Sequence, residues 1–338
     1  MLNIGQLIDE RFEVKKIFEK SVSNVYLCLD KKTGKLIVLK EGTRKEGKIL
    51  EKLDSPFIVK KLFDIDWEGK YFLAEEYVPG QTIKSLPLKE KMMDAKLALY
   101  IIRQICSALI YIHNLKPPII YRDIKPSNII INSKGKIKII DFGAAKEYVL
   151  RANEDEQSIG TKGYAAPEQY EGEGQSDNRS DIYGLGALFY YLLTGQDLSI
   201  EPHVMLPLTK IRNDIPKGIE KIIKKCTKHL PKDRYESAEA LLYDLEHYDE
   251  IEEEKEMRKT KKIKIKANPV ALALLLLALV IYVAGFIFGI GISVTKNGEV
   301  NFTLAALYWF VAFAFGTIIM GLSQIIKLLN DIKNHFYE

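Results

Sequence analysis

Cysteine and tryptophan are scarce here, with three of the first and two of the second in 338 residues. Cys28, Cys106 and Cys226 stand far apart, which excludes a disulfide scaffold and any paired metal-ligand spacing. An odd, sparse set of thiols suits a reducing cytosol, where they serve as small apolar residues. The opening MLNIGQLIDERF lacks the basic start and apolar run of a secretory signal peptide. No internal repeat or low-complexity tract is present, so solenoids and biased linkers are excluded. The most informative absence is that of charge, for none occurs in 267–295 or in 300–324. Each stretch exceeds the roughly 20 apolar residues that span a bilayer core as a helix. Residues 272–283 also lack the polar stripe of a soluble core helix. The expectation is two transmembrane helices, 269–293 and 302–326, joined at 295–299; the alternative is an apolar hairpin buried in an oligomer.

What is present is a globular composition, 47% hydrophobic and 28% charged, which a disordered chain would not carry. The formal net charge of +4 hides an uneven distribution. Arg258, Lys259, Lys261, Lys262, Lys264 and Lys266 form a run without an acid, directly before the first apolar stretch. Such a run marks a cytoplasmic flank and attracts anionic membrane lipid; no nucleic acid partner is expected. Residues 249–268 thus read as a charged juxtamembrane linker. With two crossings and the rest of the chain before them, both termini fall on the cytoplasmic side of the cell membrane. Gly285-x-x-x-Gly289 matches a helix-association pattern and suggests a homodimer.

Ahead of this linker the chain changes character once. Up to about residue 78, short runs of β-branched and aromatic residues (12–17, 22–29, 36–40, 61–67, 71–77) alternate with turns, among them Asp30-Lys31-Lys32-Thr33-Gly34. A short helix is expected over 44–53. From Asp94, a residue type that caps helix N-termini, helical spacing takes over, with Leu97, Ile101, Ile105, Ala108 and Ile112 on one face. Short strands are expected in 121–132 and 136–140, and helices over 181–194, 218–228 and 237–248. A small β-rich lobe before a larger helical one predicts an α+β domain with a cleft between the lobes.

Within that frame stand, in order, Tyr121-Arg122-Asp123-Ile124-Lys125-Pro126-Ser127-Asn128, Asp141-Phe142-Gly143 and Ala166-Pro167-Glu168. Each alone is a common turn composition. Together, at these offsets, they resemble the protein kinase family, specifically bacterial Ser/Thr kinases of eukaryotic type. The resemblance spans about 11–248 and implies the two-lobed kinase fold, with an N-lobe over 11–78 and a C-lobe over 79–248. It implies transfer of the ATP γ-phosphate to protein hydroxyls, a reaction catalysed mainly by positioning and charge neutralisation. Asp123 then takes or orients the hydroxyl proton, and Lys125 meets the γ-phosphate. Asn128 and Asp141 offer the oxygen ligands that Mg²⁺ prefers. Lys40, in Ile37-Val38-Leu39-Lys40, corresponds to the lysine on the α/β-phosphates, and Glu46 to its helix partner. Only five residues separate these two, so the regulatory helix should be cropped at its start. Glu76 and Val78 fall in the hinge, where backbone groups would bind adenine, and Glu75 falls at the gatekeeper position.

Scaffold matches accompany these: Asp181 for the aspartate that braces the catalytic loop, and Arg234 for the partner of Glu168. Lys125 and Thr161 resemble Ser/Thr-directed rather than tyrosine kinases. Residues 144–159 would form the activation segment, in which Ser158 is the first candidate for phosphorylation, with Thr161 beyond it. Arg122 is placed to receive that phosphate, unless Glu154-Asp155-Glu156 already supplies the charge. Two departures stand out. Tyr121 replaces the usual His, and the phosphate-covering loop carries Phe18, Lys20 and Ser23 where glycines normally let backbone amides approach phosphate. The second departure keeps alive another reading, a membrane-tethered pseudokinase scaffold. Small-molecule phosphotransfer is disfavoured by the Ala166-Pro167-Glu168 match.

Overall fold

Side chains in residues 12–17, 25–30 and 36–41 largely alternate between buried and accessible, as strands with one face on a core must. The computed structural model describes residues 2–18, 23–88, 92–148, 160–170, 175–200, 205–249, 269–294 and 301–336. In it these runs become β2 (Phe12–Ile17), β3 (Val25–Asp30) and β4 (Leu36–Glu41), preceded by β1 (Leu7–Ile8). With β5 (Lys61–Trp67) and β6 (Lys70–Glu76) they build a six-stranded sheet of order β1-β2-β3-β4-β6-β5. The 30–34 turn forms as expected: Asp30 accepts from the Lys32 amide and the Thr33 hydroxyl, and Gly34 adopts φ +68°. One sheet face buries Phe12, Tyr26, Cys28, Leu39 and Phe72 in a core of its own. The other face carries Lys40 and Leu73 toward α1 (Arg44–Leu50) and the rest of the domain.

Helix α1 is seven residues long and ends at Leu50, short of the expected 53. Thr43 caps it, its hydroxyl accepting the Glu46 amide at 3.2 Å. Only Gly42 and Thr43 lie between β4 and α1, so the cropped helix expected from the sequence is present.

Helix α2 (Ala95–His113) is capped by Asp94 and buries Ile101, Ile105, Ala108 and Ile112, although Leu97 is 40% exposed. Against it pack α3 (Asn178–Thr194) and α6 (Ala238–Glu246), on which α5 (Lys217–Cys226) packs in turn, with α4 (Leu208–Ile211) as a single turn. Short strands β7 (Gln81–Thr82), β9 (Ile129–Ile131) and β10 (Ile137–Ile139) form one small sheet, and β8 (Ile119–Ile120) pairs with β11 (Lys146–Glu147). The strand expected over 121–132 is thus confined to its last residues; 121–128 is a loop held by side chains. Burial pushes the Cys28 and Cys106 thiols up to about 12, in keeping with their use as apolar groups. The architecture is the α+β two-lobed one.

Residues Met1–Glu253 form one compact unit and Glu254–Glu338 another. The second contains two apolar helices, Pro269–Ser293 and Phe302–Phe336. Three described helices are long and apolar enough to cross a membrane, but they differ in burial: 56% for Ala95–His113 against 11% for each of the C-terminal pair. The first is therefore a core helix, and the other two present apolar surface outward. They pair as an antiparallel hairpin in which Gly285 meets Ala312, Gly289 meets Trp309 and Gly316 meets Tyr282. Ser323 donates to the Ala271 carbonyl at 2.7 Å and Trp309 Nε1 to the Phe286 carbonyl at 3.2 Å. The Gly-x-x-x-Gly pair expected to join two copies is thus filled within one chain. A Cβ at Gly285 would lie 2.1 Å from that of Ala312.

Candidate active site

Lys40 projects from β4, opposite Leu73 of β6, and is 6% exposed. An ammonium so buried needs partners. It has two: Glu46 Oε1 at 2.6 Å and Asp141 Oδ1 at 2.5 Å. Burial works against its charge, yet Asp141 and Glu46 together outweigh burial and raise its pKa. Burial likewise opposes ionisation of Asp141, but Lys40, the Gly143 amide and Lys125 hold it below the ordinary carboxylate range. Glu46 reaches Lys40 because Thr43 starts α1 three residues earlier.

The loop after β8 gathers the second group. Asn128 Nδ2 donates to Asp123 Oδ2 at 2.8 Å and to the Asp123 carbonyl at 3.0 Å. Lys125 Nζ lies 2.7 Å from Asp123 Oδ2. Thr161 bridges the two: it donates to Asp123 Oδ1 at 3.1 Å and accepts from Lys125 at 2.9 Å. The Lys125 charge also reaches Asp141, and buried Tyr121 feels both Asp123 and Asp141. The two acids thus share one neighbourhood.

The loop is held under strain. Arg122 and Asp141 both adopt positive φ, +68° and +64°, which non-glycine residues seldom do without external restraint. Asp181 supplies part of it, accepting the Tyr121 and Arg122 amides at 2.9 and 2.7 Å and contacting His113 at 2.8 Å. Tyr121 supplies more: its hydroxyl donates to the Ile140 carbonyl at 2.6 Å and its ring meets Phe142 edge-on at 4.9 Å. The Tyr-for-His replacement therefore ties the 121–128 loop to Asp141-Phe142-Gly143. Gln169 adds a bond to the Arg122 carbonyl at 2.8 Å.

Asp141 Oδ2 has no hydrogen-bond partner among the described residues, and Asn128 spends its amide nitrogen on Asp123, so that its oxygen carries only a 3.4 Å contact from the Ser127 hydroxyl. Hard oxygen donors of this kind fit Mg²⁺. Among the described residues no three His, Cys, Asp or Glu gather in one place. At the hinge, the backbone of Val78 has no protein partner among the described residues, while the Glu76 amide donates to the Lys60 carbonyl at 3.0 Å. The glycine-free loop is described only at its shoulders, where the Phe18 amide closes on the Val25 carbonyl at 3.0 Å. Lys20, Ser158 and the 154–156 acids lie outside the described residues.

All eight residues picked from the sequence lie in this one unit, with Lys40, Glu46 and Asp141 in contact, and Asp123, Lys125 and Asn128 in contact. Thr161 and Gln169 were not among them as site residues. The Gly160-Thr161-Lys162-Gly163-Tyr164 pattern pointed to the first, and nothing local pointed to the second.

This geometry, a buried lysine between two acids beside a strained acidic loop, defines the class: the chain belongs to the protein kinase family, whose protein kinase domain matches residues 13–252. Among curated proteins it resembles the serine/threonine-protein kinase PrkC of Bacillus subtilis, 32% identical over 269 residues, covering 72% of this chain and 41% of the relative. It also resembles a probable serine/threonine-protein kinase PknB of Lactococcus lactis, at 28% over 273 residues, covering 72% of this chain and 43% of the relative. Mitogen-activated protein kinase kinase 9 of Arabidopsis thaliana is 34% identical over 188 residues, covering 54% and 59%. The chain therefore spans about two fifths of the length of the bacterial relatives.

Proposed function

We propose that this chain is a membrane-held protein kinase that moves the ATP γ-phosphate to Ser or Thr hydroxyls of proteins. The observation that carries the reading is the buried Lys40 locked to Glu46 and Asp141 beside a loop that aims Asp123 and Lys125 into the same neighbourhood. In this reading Lys40, oriented by Glu46, meets the α/β-phosphates, and backbone groups of Glu76 and Val78 take adenine. Asn128 and Asp141 would hold Mg²⁺, which neutralises phosphate charge when bound. Asp123 accepts or orients the hydroxyl proton while Lys125 faces the γ-phosphate. The domain division follows: a kinase domain over 11–248, a linker over 249–268, and two spans within 269–293 and 302–326. Lipid contacts the outward apolar faces of the hairpin, and protein substrates meet the cytoplasmic domain.

The test is transfer of labelled γ-phosphate to a generic Ser/Thr substrate by the full chain in detergent, with phosphoamino-acid analysis of the product. Label on Ser or Thr supports the reading; tight ATP binding without label favours the pseudokinase scaffold, to which the glycine-free loop points. Thr161→Val should lower turnover about tenfold with the KM for ATP unchanged, because it removes hydrogen bonds to Asp123 and Lys125 but touches no nucleotide group. Steady-state kinetics checks this. Removing residues 254–338 should move the protein from the membrane to the soluble fraction on cell fractionation, since both outward apolar helices lie in that unit.

A further inference from the structure

One buried acid takes no part in these ion pairs. Glu75 is 5% exposed, and its Oε1 is buried without a hydrogen-bond partner among the described residues. Buried polar atoms are nearly always paired, so an orphan on the sheet face that carries Lys40 needs a reason. Its direction follows from strand alternation. Phe72 and Ala74 enter the outer core of the sheet, whereas Leu73 enters the main core beside Ile49 and Leu50. Glu75 shares the face of Leu73, directly across from Val38 of β4 and diagonal to Lys40. It stands one residue before Glu76, at the inner end of the hinge.

The groups that face it explain its state. Burial is the chief influence and disfavours charge; Lys40 of β4 opposes this, while Glu46 of α1, Asp141 and its own neighbour Glu76 add to it. Lys61, its register partner on β5, is engaged with Asp64 and Glu51 instead. The carboxyl is pushed up to about 8, so at neutral pH it is an acid with one O–H donor and one C=O acceptor.

We propose that Glu75 reads the nucleobase, its O–H donating to adenine N7 and its C=O accepting from the adenine N6 amino group. The inference rests on the ATP reading above and adds to it that the hinge backbone engages the N1/N6 edge of adenine. N6 belongs to both edges of the ring, so the N6/N7 edge turns toward the residue one step deeper, which is Glu75. Adenine offers an acceptor at N7 and a donor at N6, while guanine offers acceptors at N7 and O6. A neutral acid complements the first pattern; against the second it sets C=O against O6. Ionised, it loses the donor for N7. Gln keeps one donor and one acceptor without titrating, and Leu keeps neither.

The experiment is equilibrium binding of ATP, GTP and 7-deaza-ATP (carbon in place of N7) to the full chain in detergent. It compares wild type, Glu75→Gln and Glu75→Leu at about pH 6.5 and about pH 9.5, either side of the carboxyl titration. At the lower pH, wild type should bind 7-deaza-ATP about tenfold more weakly than ATP, the worth of one hydrogen bond. GTP should be rejected about a hundredfold. The 7-deaza gap should shrink at the higher pH in wild type, persist at both in Glu75→Gln, and vanish in Glu75→Leu. Equal binding of ATP and 7-deaza-ATP by wild type overturns the proposal without needing a variant, as does an unchanged gap in Glu75→Leu. A wild type that binds no ATP at all sinks the ATP reading itself, and this inference with it.

Discussion

Asp123→Asn should lose about 10²–10⁴-fold in phosphate transfer while still binding ATP, the scale expected when a positioned proton acceptor is removed. The amide fills the same space, so folding should survive. What changes is polarity: asparagine keeps a single acceptor oxygen, so it cannot accept from both Thr161 and Asn128 Nδ2, and its NH₂ donor must face either the Thr161 hydroxyl or the Lys125 ammonium. Asp141→Asn should be as severe by another route, since Lys40 keeps Glu46 as its one carboxylate partner and, in the proposed reading, the metal loses an anionic ligand. Labelled-ATP transfer beside nucleotide binding separates the two losses. Full transfer by Asp123→Asn would end the catalytic assignment. Absence of transfer in the wild type, with binding intact in all three proteins, would leave a scaffold.

Glu168→Ala should lower stability by about 3–5 kcal/mol, the cost of leaving a buried cation without its counter-charge. The Arg234 side chain is 0% exposed and Glu168 only 7%. Two bonds, of 2.6 and 2.8 Å, join them, and Ser180 adds a third to the carboxylate at 2.8 Å. The remaining guanidinium protons go to the carbonyls of Lys228, His229 and Arg179, which fixes the loop before α6 to the start of α3. Thermal unfolding should show a midpoint lower by roughly 10 °C. Replacing both partners by Met and Leu should cost less than the single change, because no charge is stranded. A single mutant as stable as wild type would mean that the pair carries nothing.

The site was legible to the extent that its chemistry is written in short runs of chain. Asp123, Lys125 and Asn128 lie within six residues of one another on one loop and touch there, and Lys40 announced itself by three apolar strand residues before it. Contacts across the chain were not legible in the same way. Thr161 reaches Asp123 over 38 residues and Gln169 reaches Arg122 over 47, so neither bond leaves a local pattern. The strand expected over 121–132 failed for a related reason. Its β-branched residues suit a ladder, but Asp181, 59 and 60 residues on, takes the Tyr121 and Arg122 amides and holds the loop out of it. In the apolar hairpin, Gly285 and Gly289 advertised close packing correctly without naming the partner, which is the neighbouring helix.

The two-residue link between β4 and α1 sets a limit on movement. In protein kinases the lysine–glutamate pair must be in place for transfer, and the position of the helix that carries the glutamate controls it. Here Glu46 hangs on Gly42 and Thr43, and Gly42 is itself bonded to the Tyr71 carbonyl, while the Glu41 amide is bonded to the Asn24 carbonyl. Outward travel of the helix would peel the end of β4 from both neighbouring strands. Such a leash favours an enzyme whose ion pair is always made, and shifts the burden of switching to whatever governs access to the cleft.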